Sequence, residues 1–282
     1  MSGYRRIDPV ERAHLRDERG FSPPVHRYAV PPELDDLVCR FWVPVWSLPP
    51  GESTVQRVLQ YPVCQLVVGS DRAAVTGPTT GLATQHLSGS GWVVGAMLQP
   101  AAGSMLLGGP VSAATNEVVP LETSALTGVD ELVAGVRRLV GPAPADHARH
   151  QQACALLGRA LLDLGPVDEE GLLVNRVVRH VEREPGVVRV SQVCAAFGLS
   201  ERTLQRLLAR RVGLSPKWLI QRRRLHEAAE RLRSGALSGR HGALADVAAD
   251  LGYADQAHFT RDFRAVTGTT PGAFAAEPRP AD

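Results

Sequence analysis

Two stretches of the chain carry arginine and glutamine at helical spacing, opposite an apolar stripe. In SERTLQRLLARRVG the stripe is Leu204, Leu207 and Leu208, and Arg202, Gln205, Arg206 and Arg210 fall outward at i, i+3, i+4 and i+8. In DQAHFTRDFRAVTG, Phe259, Phe263 and Val266 form the stripe, leaving Gln256, Ala257, His258, Arg261 and Arg264 outside. Guanidinium groups grip phosphates and guanine edges bidentately, glutamine suits adenine, and a methyl such as that of Ala257 can meet a thymine methyl. The competing reading is a pair of ordinary solvated helix faces.

The elements around these faces decide between the two. VSQVCAAFGLSERTLQRLLARRVGLSP and LADVAADLGYADQAHFTRDFRAVTGTTP share one layout: a short helix, a turn with Gly198 or Gly252, then a longer helix capped by Ser200 or Asp255. That is the layout of a helix-turn-helix, here twice, at about 190–212 and 244–266. Between them PKWLIQRRRLHEAAERLR offers Trp218, Leu219, Leu225, Ala228, Ala229 and Leu232 to both units. As a helix from Pro216 to Arg233 it would span roughly 27 Å, against about 34 Å for a turn of B-DNA. The two longer helices could then enter successive major grooves on one face of a duplex. Arg222, Arg223 and Arg224 in the connector read as a solvated charge run or as phosphate contacts.

These motifs, with the continuation GLSPKWLIQRRRLHEAAERL and the stretch LADVAADLGYADQAHFTRDFRAVTGTTPGAF, resemble the AraC/XylS family of bacterial transcription regulators over about residues 172–275. The resemblance places base-reading roles on Arg202, Gln205 and Arg206 in the first unit and on Gln256, Ala257, His258 and Arg261 in the second. It implies double-stranded promoter DNA as partner, RNA polymerase as a second partner, activation of transcription by a homodimer, and response to a small-molecule effector.

The other half reads differently. From Val30 to about Val119, the β-rich runs CRFWVPVW, STVQRVLQY, VCQLVVG, AAVTG and GWVVGAML are separated by turn signals such as PPG, GSD and TGP. The spacing predicts an antiparallel β-barrel or sandwich, cupin-like, flanked by helices over Val129–Val140 and Ala145–Leu164. Gly165–Asp168 reads as a hinge. The expected fold is therefore α+β in two domains: a sensor or dimerisation domain over 1–165 and an all-α double helix-turn-helix over 169–278. PPELDDLVCRFW, VLQYPVCQLVV and the run after Val93 resemble the barrel-like sensor domain of some AraC-type regulators. Trp42, Trp46, Tyr61 and Trp92 could line a pocket for an apolar effector, or pack as core.

Charge supports the division. The net +2 of the 282 residues is a cancellation: residues 1–170 hold 13 Arg against 18 acids, a net of −5, and residues 171–282 hold 18 basic residues against 11 acids, a net of +7. Such asymmetry points one half at a polyanion. Four separated cysteines fit reduced thiols, and the charged N-terminus lacks a secretory core, so a cytoplasmic location is expected. Ala73–Asn116 lacks charged residues, but its prolines and glycines make buried strands and turns the expectation, with no membrane span. His147 and His150 beside Asp146 read as surface residues; no metal and no cofactor is expected. Two competing readings remain. One is a DNA-repair methyltransferase accepting methyl groups on Cys39 or Cys64; the other is a ligand-independent DNA-binding dimer.

Overall fold

The computed structural model describes residues 14–15, 22–58, 61–233 and 243–276. Most of the charged N-terminal segment, and Leu59 and Gln60 of the second strand run, lie outside them. Among the described residues the first half builds nine strands: β1 (His14–Leu15), β2 (Val25–Tyr28), β3 (Val38–Ser47), β4 (Ser53–Val58), β5 (Gln65–Gly69), β6 (Ala73–Thr76), β7 (Ala83–Ser88), β8 (Ser90–Leu98) and β9 (Val118–Pro120). All pair antiparallel, in a six-stranded sheet of order β2-β3-β8-β5-β6-β9 and a three-stranded sheet β1-β4-β7. Among the described residues the result is a sandwich of two sheets rather than a closed barrel.

Period-two alternation gives the large sheet two different faces. Phe41, Leu66, Val68, Val94 and Leu98 point toward Val136 of α2 (Val129–Val140) and Leu157 and Leu161 of α3 (His147–Leu162), forming the larger core. Gly158 admits that approach, since a Cβ there would sit 2.6 Å from Leu34 Cδ1. On the opposite face Trp42 lies over Gly95 and Trp46 over Gly91. The uncharged stretch 73–116 departs from expectation in one place: Pro100–Leu107 is a helix, α1. Pro100 starts it because proline's fixed φ and missing N–H suit the first helical turn, where a donor has no partner anyway.

The second half is helical: α4 (Glu169–Arg183), α5 (Val190–Phe197), α6 (Glu201–Arg211), α7 (Pro216–Arg233), α8 (Ala243–Asp250), α9 (Gln256–Thr267) and α10 (Pro271–Ala276). It has two cores. Val177, Val181, Val193, Leu204 and Leu208 fill one with Leu219 and Ile220 of α7, and Phe259, Phe263 and Phe274 fill the other with Leu225, Ala228 and Leu232 of the same helix. One continuous helix therefore belongs to both units.

Polar contacts also join the sheets to the helices. Asn175 of α4 accepts from the Ala101 N–H at 2.9 Å and donates to the Asp36 carbonyl at 3.0 Å. Thr115 donates to the Gly213 carbonyl at 2.9 Å, and Trp218 Nε1 to the Thr80 carbonyl at 3.3 Å.

Candidate nucleic-acid interface

Each longer helix of the two units begins at a working cap. Ser200 Oγ accepts from the Thr203 N–H at 3.1 Å, and Asp255 Oδ1 from the His258 N–H at 2.7 Å. The turns before them pass through Gly198 and Gly252 at φ 63° and 75°, a left-handed conformation that a side chain would strain. Leu204, Leu208, Phe259 and Phe263 are buried to the last atom, which fixes the rotation of α6 and α9.

That rotation leaves Arg202, Gln205, Arg206, Gln256, Ala257, His258 and Arg261 exposed. Arg202, Arg206 and Arg261 meet no partner among the described residues, so their donors are available. Gln205 Nε2 donates to Glu201 at 3.2 Å, an exposed bond that water or a base edge can replace. His258 Nε2 stands 3.4 Å from Asp262, whose carboxylate accepts from Gln221 of α7 at 2.6 Å. Gln256, Ala257, Thr260, Arg261 and Arg264 line one open concavity along α9. Arg210, outward by spacing, is instead ion-paired to Glu170 of α4 and leaves the free set.

In the connector's charge run Arg222 and Arg223 are buried and Arg224 is half-buried, so the run is not a solvated face. Arg222 is 2% exposed, paired with Glu182 and set over the Tyr61 ring at 4.4 Å. Arg223 is buried, donating to Glu227 at 3.1 Å and to the Pro185 and Val187 carbonyls at 3.1 and 3.0 Å. Arg224 stacks on Tyr253 at 3.9 Å. These arginines fasten the first unit to the connector and the connector to the second unit; their partners lie too far away in sequence for spacing to reveal.

The aromatic residues named for an effector pocket do not form one wall. Trp92 is in the core facing the helices, Trp42 and Trp46 project from the opposite face, and Tyr61, beside Arg222 and His226, packs with Trp42 against Val63 and Met97. His150, read as a surface residue, is fully buried, while its neighbour His147 is exposed. Among the described residues no group of three or more His, Cys, Asp or Glu side chains is arranged to hold a metal ion, and no helix is long and apolar enough to cross a membrane. All four cysteines are free, and burial pushes the Cys39 and Cys64 thiols up to about 12. A thiol that far from ionisation is a poor nucleophile.

Residues 193–277 match the family model described as a helix-turn-helix domain, spanning both units from the middle of α5 to the end of α10. The match is to an AraC-type helix-turn-helix domain, the kind found in regulators of the AraC/XylS family. A second match, to a domain of unknown function (DUF6597), covers residues 26–120, the sandwich. Similar curated proteins include the uncharacterized HTH-type transcriptional regulator YfiF of Bacillus subtilis, 30% identical over 39% of this chain and 33% of that one. The transcriptional activator NphR of a Rhodococcus species is 32% identical over 43% and 34%. The virulence regulon transcriptional activator VirF of Yersinia enterocolitica is 30% identical over 43% and 52%. The matched region thus spans about a third to a half of these relatives. Among solved structures, ToxT from Vibrio cholerae is 11% identical, with a TM-score of 0.42, over 83% of this chain and 96% of that one.

Proposed function

We propose that the chain is a sequence-specific transcriptional regulator that sets α6 and α9 into successive major grooves on one face of promoter DNA. The observation that carries this reading is the pairing of two capped, outward-facing arginine helices on separate cores, joined by a single connector of 18 residues. At about 1.5 Å per residue the connector spacing suits roughly one turn of duplex. Arg202, Gln205 and Arg206 read one half-site and Gln256, Ala257, His258 and Arg261 the other. The sensor domain ends at about 165 and the reader begins at 169; the acidic sensor, repelled by DNA, responds to a small-molecule effector or pairs two copies. Activation of transcription, with RNA polymerase as the second partner, belongs to the same reading, and the naming of two of the relatives as activators supports the activation.

The same reading makes the chain a non-enzyme, and the shielded Cys39 and Cys64 thiols favour it over a methyl-accepting repair protein. Footprinting on sites recovered by genome-wide mapping tests the proposal. It expects two protected major-groove segments about one turn apart on one face. A single protected segment, or protection independent of sequence, would overturn it. Mass spectrometry of the chain incubated with alkylated DNA should find no methylated cysteine.

A further inference from the structure

The sensor domain holds a cluster that DNA reading does not use. β2 lies at the edge of the large sheet, and its Tyr28 hydroxyl stands 2.6 Å from His150 Nδ1 and 3.0 Å from His147 Nδ1, both on the first turns of α3. His150 Nε2 is 2.7 Å from the Pro144 carbonyl. A carbonyl only accepts, so Nε2 carries the proton and Nδ1 presents a lone pair to the tyrosine hydroxyl. The tyrosine oxygen in turn accepts from His147 Nδ1–H. With the rings neutral, the chain His147 to Tyr28 to His150 to Pro144 satisfies every member. His26, on the same face of β2, brings a third ring to centroid distances of 4.5 Å from His147 and 5.3 Å from His150.

We propose that His26, Tyr28, His147 and His150 form an acid-sensitive latch, holding the start of α3 against strand β2 while neutral and loosening when the cluster takes up protons. The route and the cost are both visible. His147 is exposed and His150 fully buried, with Tyr28 between them. A proton arriving at His147 Nε2 lets its Nδ1 proton pass to the Tyr28 oxygen, while the tyrosine's own proton passes to His150 Nδ1. His147 and Tyr28 end neutral, and His150 becomes a buried cation beside two more imidazoles.

Among the described residues little nearby offsets that cation. On α3 the facing groups are His147, the neutral thiol of Cys154, and Asp146 at the cap, whose carboxylate already accepts from the Ala148 and Arg149 amides at 2.8 and 3.3 Å. Arg149 turns away to the Leu139 carbonyl at 3.0 Å. Across β3 the positions opposite His26 and Tyr28 are Val43 and Phe41, which carry no charge. Burial, then the neighbouring imidazoles, hold His26 below the ordinary histidine value; burial likewise lowers His150, against the pull of the Pro144 carbonyl. The unfolded chain therefore binds protons first, and the latch's stabilisation is complete above about pH 6.5 and declines as pH falls. The chain leaves α3 at Leu162 and enters α4 at Glu169, so a loosened α3 bears directly on the first helix of the reader.

Thermal unfolding of the full chain between pH 8 and pH 5 tests this without DNA, so its failure is separable from failure of the proposed function. Tm of the unsubstituted protein is expected to fall by roughly 3 °C or more across that window. His150→Gln should flatten the profile. Tyr28→Phe, which keeps the ring and removes the central hydroxyl, should lie lower at pH 8 and meet the unsubstituted protein near pH 5. Exchange of the amides of residues 150–153 should accelerate as pH falls, after correction for the intrinsic rate, in the unsubstituted protein. Should His150→Gln fail to fold, the Tyr28→Phe profile decides. Parallel profiles for the variants and the unsubstituted protein overturn the latch.

Discussion

Arg211, in the last turn of the first recognition helix, is ion-paired with Asp168, the residue that caps α4. The same guanidinium donates Nε to Glu170 at 2.9 Å and Nη1 to Ser104 of α1 at 3.1 Å. One side chain thereby ties α6, the start of α4 and α1 together, and at 13% exposed it is shielded from water. Charge-assisted bonds of this kind are stronger than neutral ones, although Asp168 itself is 59% exposed and contributes less.

Arg211→Ala should lower unfolding free energy by about 1–3 kcal/mol in chemical denaturation, because Ser104 and Glu170 lose a shielded partner. Arg211→Lys should recover only part of that, since a point charge cannot serve three acceptors held in a fork geometry. An unchanged midpoint for Arg211→Ala would show that the clamp contributes nothing.

The clamp also has a pH signature. Partial burial pushes the Asp168 carboxyl up, but the Gly171 N–H and Arg211 together outweigh it and hold the group below the usual aspartate value. Its contribution is therefore present above the unfolded value of about 4 and lost as pH falls through the folded one. Asp168→Asn should be less stable than the unsubstituted protein at pH 7, with acid-unfolding curves that converge at lower pH. A constant gap between the curves at all pH values would contradict this.

Arg223 invites a contrast with the exposed arginines. It is buried against two carbonyls and Glu227, so Arg223→Ala leaves acceptors without donors and should cost about 2–4 kcal/mol of stability. Its guanidinium does not reach solvent, so the salt dependence of DNA binding, measured where the variant remains folded, should stay as it was. A salt slope reduced by about one would return Arg223 to the phosphate-contact role that the charge run suggests.

Whether a feature is legible in the sequence depends on how far away its cause lies. Ser200, Asp255 and Asp168 cap helices through bonds to amides three residues on, and Gly198 and Gly252 mark turns by their own conformation; both signals are local and stand in the chain itself. The outward faces of α6 and α9 follow from period alone. The pairing of Arg210 does not, because Glu170 stands forty residues upstream. The burial of Arg222 and Arg223 is hidden for the same reason, as is that of His150, covered by a tyrosine 122 residues earlier. Strand β7, ATQHLS, gives no signal since its pattern alternates half-buried with exposed and shows no apolar face. The helix at Pro100 is hidden because proline breaks helices as well as beginning them, so the residue alone does not mark a start.

The sandwich offers a test of close approach. A Cβ on Gly95 would lie 2.3 Å from Trp42 Cε2, so the bare backbone is what lets the indole lie flat on β8. Gly95→Ala must displace the ring and should cost about 1–3 kcal/mol, with a change in tryptophan fluorescence. Gly272 is the control, because a Cβ there would meet nothing within 4 Å: Gly272→Ala should be neutral, or stabilising by up to about 1 kcal/mol. Equal effects at both positions would remove packing against Trp42 as the explanation.

The recognition faces make the most demanding prediction, because the two helices should fail separately. Arg206 and Arg261 are exposed, while the stripes beneath them are buried in different cores, so substitution at either leaves the other unit's packing intact. Arg206→Ala and Arg261→Ala should each weaken binding to a cognate site by about 1–3 kcal/mol and relax base preference at different positions, roughly one helical turn apart. A residue touching only phosphate behaves otherwise: affinity drops evenly across sequences and the salt slope falls by about one. Selection of binding sites by each variant from a random library distinguishes the outcomes. If both variants relax the same position, the two helices share one half-site. If neither relaxes any, the arginines hold the backbone and the bases are read by Gln205, Gln256, Ala257 and His258.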